Sequence, residues 1–284
     1  TVYGLGASAY NNEACAQIYA IKGRPQNNPL IVHVLNLEEA LKIGEFTPLA
    51  LKLTSFWPGP LTIVVKAKEG NALASNLFAG LGTIAIRVPL HPIAQDLIRL
   101  AKCPIAAPSA NKSGYISATN AAAVDSDFDS QIAVLNGDAT YGIESTIVKA
   151  YDDVAILRHG FITSEAIEGL LNMKLSNNNS TQQEAPGMSS KHYSPKTSLI
   201  LNNTNYSFND TLFLTFGNVI APAATSLNLS PQGKLIEAAA NLYTHLRHLD
   251  AKAQQQGYKY IAVSPIPHNN IGVAINDRLQ RAAL

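Results

Sequence analysis

The side chains best placed for chemistry in this sequence are cations set beside backbone breakers. In "YAIKGRPQNNP", Lys22 and Arg24 flank Gly23, and Pro25 follows. Gly23 stops a helix-like apolar run, and Pro25 biases Arg24 toward extended backbone. Both side chains can then project to one side and hold successive phosphate groups. The same spacing also suits two cations that satisfy the carbonyls of a helix C-terminus. In "GTIAIRVP", Ile84, Ile86 and Val88 take one face of a strand, so Thr83 and Arg87 share the other. An arginine among β-branched residues must pair with an acid or line a cleft, where its planar fork fits a carboxylate. In "AAPSANKSG", Pro108 stiffens the exit from a buried strand, and extended backbone would present Ser109 and Asn111 together. Either a polar turn or a ligand crevice at the end of a sheet accommodates such residues.

Other chemistries lack their parts. "GDATYGIE" carries Ile143 and Glu144 where a phosphate loop needs Lys and Ser or Thr, and "GLGASA" offers only GxG. Any ATP must therefore be held mainly by side chains. Ser145 in "GIESTIV" has no nucleophile elbow around it. His245 and His248 stand three apart on a helical pattern, but no acid or cysteine joins them, so no metal site is expected. His33 lies in "LIVHV" on the face shared with Ile31, opposite Leu30, Val32 and Val34, a pattern common for a satisfied core histidine.

Stepping these residues into place requires alternating strands and helices. Asn12 is positioned to cap a helix carrying Ala14, Ile18 and Ile21, and Asn36 to cap "LEEALKI" with Gly44 as its stop. "PLTIVVKA", "TIAIRVP" and "CPIAAP" read as strands, "PIAQDLIRLAK" as an amphipathic helix, and "ESTIVKA" with "VAILRHG" as a late hairpin. The expected fold class is α/β (α+β): a twisted mixed open sheet flanked by helices over residues 1–175. Residues 176–196, polar and rich in Asn, Ser and Pro, read as a linker. Residues 197–284 then form a smaller Rossmann-like α/β domain, whose long helix shows Leu235, Leu242, Leu246 and Leu249 on one face and stops at Gly257. "TVYGLGASA" reads as the middle of a strand and turn, so an upstream strand and helix are expected before Thr1.

A net charge of +1 supplies no field for gripping a nucleic-acid backbone, so any cationic site must be local. Cys15 and Cys103 sit in apolar contexts, which fits reduced core residues in a cytoplasmic protein. No apolar run approaches the roughly 20 residues of a membrane span.

Taken in order, "TVYGLG", "KGRPQNNPLIVHV", "FWPGPLTIVV", "IAIRVPLHPIA", "PIAAPSANKSG" and "GIESTIV" resemble the YrdC/Sua5 family. "APGMSSKHYSP" and the second domain are similar to its longer, two-domain Sua5 branch, the L-threonylcarbamoyladenylate synthases. The resemblance implies a YrdC-like catalytic domain that joins L-threonine, bicarbonate or CO2, and ATP, Mg2+ accompanying the ATP. Threonylcarbamoyl-AMP and pyrophosphate would leave, the former passing to a tRNA threonylcarbamoyl transferase complex for t6A modification of tRNAs reading ANN codons. By matching position, Lys22, Arg24, Ser109 and Asn111 resemble the family's quartet around the nucleotide. Asn28, Thr83, Ser117 and Arg158 look like further ATP contacts. Thr1, His33, Arg87, Ser145 and the backbone of Ala107 match a threonine pocket, and His192 and Tyr193 match a lid whose tyrosine touches ATP.

Ala118, Lys149 and His159 depart from the family pattern, which bears on the finer ATP contacts. Two rivals remain: a non-catalytic RNA-binding module, limited by the near-neutral charge to weak tRNA contact, and carbamoyl transfer to a protein thiol on the same fold.

Overall fold

Capping and alternation build the first sheet as the sequence suggests. The computed structural model describes residues 1–176, 184–188 and 191–284. β1 (Ala7–Ser8) leads into α1 (Asn12–Lys22), β2 (Ile31–His33), α2 (Leu37–Ile43), β3 (Gly44–Glu45) and α3 (Pro48–Leu53). There follow β4 (Leu61–Ala67), β5 (Thr83–Arg87), α4 (Pro92–Ala101), β6 (Ile105–Ala106) and α5 (Ala121–Phe128). The hairpin β7 (Thr146–Ala150) and β8 (Val154–Arg158), then α6 (Ser164–Leu171), complete the first half. Its eight strands run β1-β6-β2-β5-β4-β7-β8, with β3 added beside β4. The sheet is mixed: β2 is parallel to β5 and β4 to β7, while β4 and β5 are antiparallel.

One capping assignment shifts. Asn11, not Asn12, caps α1, its side chain accepting from Ala14 N–H. Asn12 begins the helix, and its own side chain accepts from the backbone N–H and hydroxyl of Ser75. The buried stripe of α1 is therefore Cys15, Ile18, Tyr19 and Lys22, and Ile21 faces solvent. Gly23 ends the helix at φ +63, where a side chain would be strained. Asn36 caps α2 as expected.

The two faces of the sheet bury different things. Leu30, Val32, Val34, Ile63, Ile84, Ile86 and Val88 share the large core, as alternation requires. On the other face Ile31, Val64, Ala85, Ile147 and Leu157 form a smaller cluster that Ala185 joins from the segment 184–188. That segment lies within the linker; residues 177–183 and 189–190 of the linker are outside the described ones.

The remainder of the chain makes a second sheet: β9 (Ser198–Ile200), β10 (Thr211–Thr215), β11 (Ser226–Asn228) and β12 (Tyr260–Val263), all parallel in the order β11-β10-β12-β9. Helices α7 (Leu235–Gln256) and α8 (Gly272–Ala282) cover it. Leu242, Leu246 and Leu249 are buried on α7, which Gly257 stops at φ +78. α7 also grips the first sheet's loops. Arg247 pairs with Asp127 at 2.5 Å, Thr244 meets Thr119 at 2.8 Å, and Asp250 accepts the Tyr115 hydroxyl at 2.8 Å.

Ile63 is fully buried at the centre of the first sheet. Ile63→Ala should cost about 2–5 kcal/mol of unfolding free energy, read by urea denaturation.

Candidate active site

The parallel register of β2 and β5 sets His33 opposite Arg87, at the end of the face that leads away from the main core. Three crossings meet there. β6 brings Ala107 to the site through its N–H bond to the Ile31 carbonyl, and the chain then turns through Pro108 and Ser109, the latter bridged to Gly4. Ser145 enters just before β7, and Arg158 ends β8. One cavity is lined by Arg24, Ser109, Arg158 and Tyr193 together with Thr1, His33, Arg87, Ala107 and Ser145. Nine of the sequence-derived site residues thus share one hollow, and His192 borders it too.

Its cations are buried without ion-pair partners among the described residues. Arg87 donates Nε to the Gly59 carbonyl at 2.9 Å and Nη1 to the Thr1 hydroxyl at 2.8 Å. Among the described residues, no carboxylate lies within ion-pair distance of Lys22, Arg24, Arg87 or Arg158. The cleft alternative for Arg87 therefore prevails over the ion pair. Burial, with the Arg158 charge adding to it, pushes Arg87 down to about 10, so it stays charged at neutral pH.

Arg24 is braced by its own loop. Nε donates to the Asn28 carbonyl at 3.1 Å, and Nη2 to Asn28 Oδ1 at 2.5 Å and to the Pro29 carbonyl at 2.8 Å. Burial, then the neighbouring Arg158 charge, lowers it to about 10, though Tyr19 opposes the shift. Lys22 donates to the carbonyls of Ser109, at 2.6 Å, and Asn111. Burial and the Arg24 charge bring it down to about 7. Neither cation serves the C-terminal carbonyls of α1; Lys112 does so instead, donating to the Ile21 carbonyl at 3.0 Å.

Five sequence-derived residues stand outside the cavity lining: Lys22, Asn28, Thr83, Asn111 and Ser117. Lys22 and Asn28 act one layer behind it, as their bonds above indicate. Asn111 is buried, donates to the Lys112 and Tyr115 carbonyls at 2.7 and 3.0 Å, and leaves its Oδ1 without a partner among the described residues. Thr83 opens β5 opposite Lys66, on Arg87's face but four residues earlier. Ser117 is buried and donates to Glu144 Oε1.

Ser145 is held on three sides. Its hydroxyl shares a hydrogen with Thr62 at 2.7 Å, Arg158 Nη2 donates to that hydroxyl at 3.1 Å, and Arg158 Nε and Nη2 both donate to its carbonyl. Arg158 Nη1 reaches the Pro186 carbonyl at 3.3 Å, tying the strand end to the segment 184–188. Tyr193 closes the wall, stacked on Tyr243 with centroids 5.7 Å apart and edged by His192 at 4.0 Å.

Sequence reasoning missed Glu144, which it treated only as a mismatch to a phosphate loop. The acid lines the cavity, 5% exposed. Burial alone would raise its pKa, but the Arg278 and Arg158 charges and the Ser117 hydroxyl hold it at about 2. The one available signal was an acid embedded between apolar residues in "GIESTIV". At the departures, Lys149 pairs with Asp153 at 2.7 Å and Ala118 is fully buried. Among the described residues no group of three or more His, Cys, Asp or Glu side chains gathers, at His245 and His248 or elsewhere.

Two family models cover the chain. Sua5_yciO_yrdC, described as telomere recombination, matches residues 1–160, and the C-terminal domain of threonylcarbamoyl-AMP synthase matches residues 162–284. The threonylcarbamoyl-AMP synthase of Bacillus subtilis is 36% identical over 306 residues, spanning 100% of this chain and 87% of that one. Its counterpart from Pyrococcus abyssi is 32% identical, over 100% of this chain and 88% of the other. The crystal structure of P. abyssi Sua5 complexed with L-threonine superposes with a TM-score of 0.89 at 32% identity, covering 100% of this chain and 88% of that one.

His33 generates a test. Burial and the Arg87 charge lower it to about 3, opposed by its hydrogen bond with the Ile105 carbonyl at 3.3 Å. The unfolded chain protonates this group near pH 6.5, whereas the folded protein resists until about 3. Stability present above pH 6.5 is thus lost as pH falls toward 3. His33→Gln should flatten that part of the stability–pH curve, and the imidazole should show no NMR titration between pH 5 and 8.

Proposed function

The chain belongs to the Sua5/YrdC family of threonylcarbamoyl-AMP synthases, and we propose that its cavity condenses L-threonine, bicarbonate or CO2, and ATP. It is an enzyme of the nucleotidyltransferase kind, making threonylcarbamoyl-AMP for the t6A modification of tRNA. The observation that carries the reading is a single hollow in which buried guanidinium groups are held by carbonyls and hydroxyls, none of them ion-paired among the described residues. The one acid in the wall, Glu144, is paired to Arg278 instead. Such groups are arranged for anions that arrive from outside.

In this reading Arg87 receives the threonine carboxylate by its planar fork. Thr1, Ser145, His33 and the Ala107 backbone surround the rest of the amino acid. A neutral His33 can then accept from the substrate hydroxyl or amine without adding charge. Arg24 and Ser109 face the nucleotide, with Arg158 between the two ends. Asn28 aims Arg24, Lys22 and Asn111 fix the Ser109 loop, Ser117 acts through Glu144, and Thr83 marks the far limit of the nucleotide surface. Tyr193 lies over the nucleotide as part of a lid formed by the linker. Residues 1–175 would form the catalytic domain and 197–284 the smaller one.

The chemistry needs placement more than covalent help. The threonine amine adds to CO2, which bicarbonate supplies by losing water. The C–N bond forms as one C=O π bond opens onto oxygen, and the amine proton passes to solvent. The resulting carbamate oxygen attacks the α-phosphorus, and the bond to the bridging oxygen breaks, so pyrophosphate carries away the electron pair. Confinement of the three reactants contributes through proximity, and the arginines stabilise charge that moves onto the leaving phosphates. Mg2+ would accompany the ATP and supply charge neutralisation on its phosphates, with no cluster of three or more acidic, His or Cys side chains among the described residues to hold it independently. The product passes to a tRNA threonylcarbamoyl transferase complex, with weak direct tRNA contact. No helix among the described residues is long and apolar enough to cross a membrane.

Pyrophosphate release should require threonine, bicarbonate and ATP together; release that persists without threonine would defeat the reading. Losing a charge-assisted contact costs about 1.5–3 kcal/mol, so Arg87→Ala should raise the threonine KM by about 10–100-fold. Arg24→Ala should do so for ATP, each with far less effect on the other substrate.

A further inference from the structure

An ionised acid in the wall of a hollow for a triphosphate is an anomaly, because like charges repel there with little solvent screening. Glu144 occupies that wall, and its charge is met from the second sheet. Arg278 on α8 donates Nε to Glu144 Oε2 at 3.1 Å, and Tyr243 on α7 donates its hydroxyl to the same oxygen at 2.9 Å. Ser117 occupies the other oxygen. Arg278 is 1% exposed, pairs its Nη1 with Asp277 at 2.7 Å, and leaves Nη2 buried without a partner among the described residues.

The same guanidinium holds an aromatic ring. Its central carbon lies 5.1 Å from the Tyr193 centroid, an attractive cation–π geometry. Tyr193 is 1% exposed and sits at φ +63, unusual for a bulky residue, so its conformation depends on what surrounds it. Its hydroxyl is buried with no hydrogen-bond partner among the described residues, although the residue lines the cavity. Gly187 passes close to this ring tip: a Cβ there would come within 2.7 Å of the Tyr193 oxygen and 2.9 Å of Arg158 Cδ. The hydroxyl and Arg158 thus share one corner of the hollow, at the end assigned to the nucleotide.

We propose that Arg278 is a positioning residue for ATP, offsetting the Glu144 charge and fixing the Tyr193 ring so that its free hydroxyl meets the nucleotide. It touches no substrate itself. Through it the second sheet becomes part of the catalytic apparatus and sets affinity for the nucleotide rather than for the amino acid. The inference rests on the reading of the cavity as an ATP site. A purely structural bridge between the sheets would affect both substrates alike.

The test compares Arg278→Met, Arg278→Lys and the double variant Arg278→Met with Glu144→Gln. It reads the KM for each substrate, thermal stability, and calorimetric binding of a non-hydrolysable ATP analogue. Arg278→Met should raise the ATP KM by about tenfold or more while the threonine KM moves less than about twofold. Adding Glu144→Gln should recover about threefold or more of the ATP affinity, because the uncompensated acid is gone. Arg278→Lys should fall between wild type and Arg278→Met. An unchanged ATP KM, an equal rise in both KM values, or a double variant weaker than Arg278→Met would overturn the proposal. Should Arg278→Met not yield folded protein, Arg278→Lys carries the test, and an ATP KM identical to wild type overturns it. If the wild-type protein binds the analogue but releases no pyrophosphate with all three substrates, the synthase reading falls. The calorimetric comparison of variants still decides the role of Arg278.

Discussion

Cations held in the interior by neutral partners are the constraint on which the remaining architecture depends. Desolvating a guanidinium is expensive, and carbonyl oxygens repay only part of the cost. Arg24, Arg87 and Arg158 all accept this arrangement, each oriented by backbone oxygens of the segments that connect helices and strands. The carbonyls come from different stretches of chain: the loop after α1, the approach to β4, and the approach to β7. The fold must therefore be complete before the cations are aimed. A ligand that brings negative charge then relieves an imbalance the protein maintains at its own expense, which makes the empty site the less comfortable state.

The second sheet contributes through this same balance. Its α7 and α8 deliver Tyr243 and Arg278 to Glu144 in the wall of the hollow, while Arg247, Thr244 and Asp250 fasten α7 to the loop 115–119 and to α5. That loop follows directly from Ser109 and Asn111. Anchoring it restrains the turn whose carbonyls Lys22 reads, so the helix packed on one sheet limits the freedom of a loop serving the other.

Much of this was legible in the sequence because its signals are local. Alternation in "LIVHV" and "TIAIRVP" assigned faces correctly, and the glycines at 23 and 257 marked helix ends that only a left-handed residue closes easily. What was illegible depended on which neighbour competes for a group. Asn11 and Asn12 are equivalent as caps until Ser75 claims the second. Lys22 and Arg24 both suited the end of α1, and only the approach of the Ser109 loop and the loop after α1 draws them away, leaving the Ile21 carbonyl to Lys112. Glu144 looked like an ordinary acid because its partners, Tyr243 and Arg278, lie far along the chain in a different sheet. No period or spacing connects such residues.

The parallel pairing of β4 with β7 has a consequence for the nascent chain. Leu61 to Val64 must wait for Thr146 to Lys149 before one side of that strand is covered. During synthesis an apolar strand edge at the middle of the future sheet stands open while α4, β6 and α5 emerge. Closure of so distant a pair is slower than that of a hairpin, so this edge is the last part of the sheet's middle to be covered.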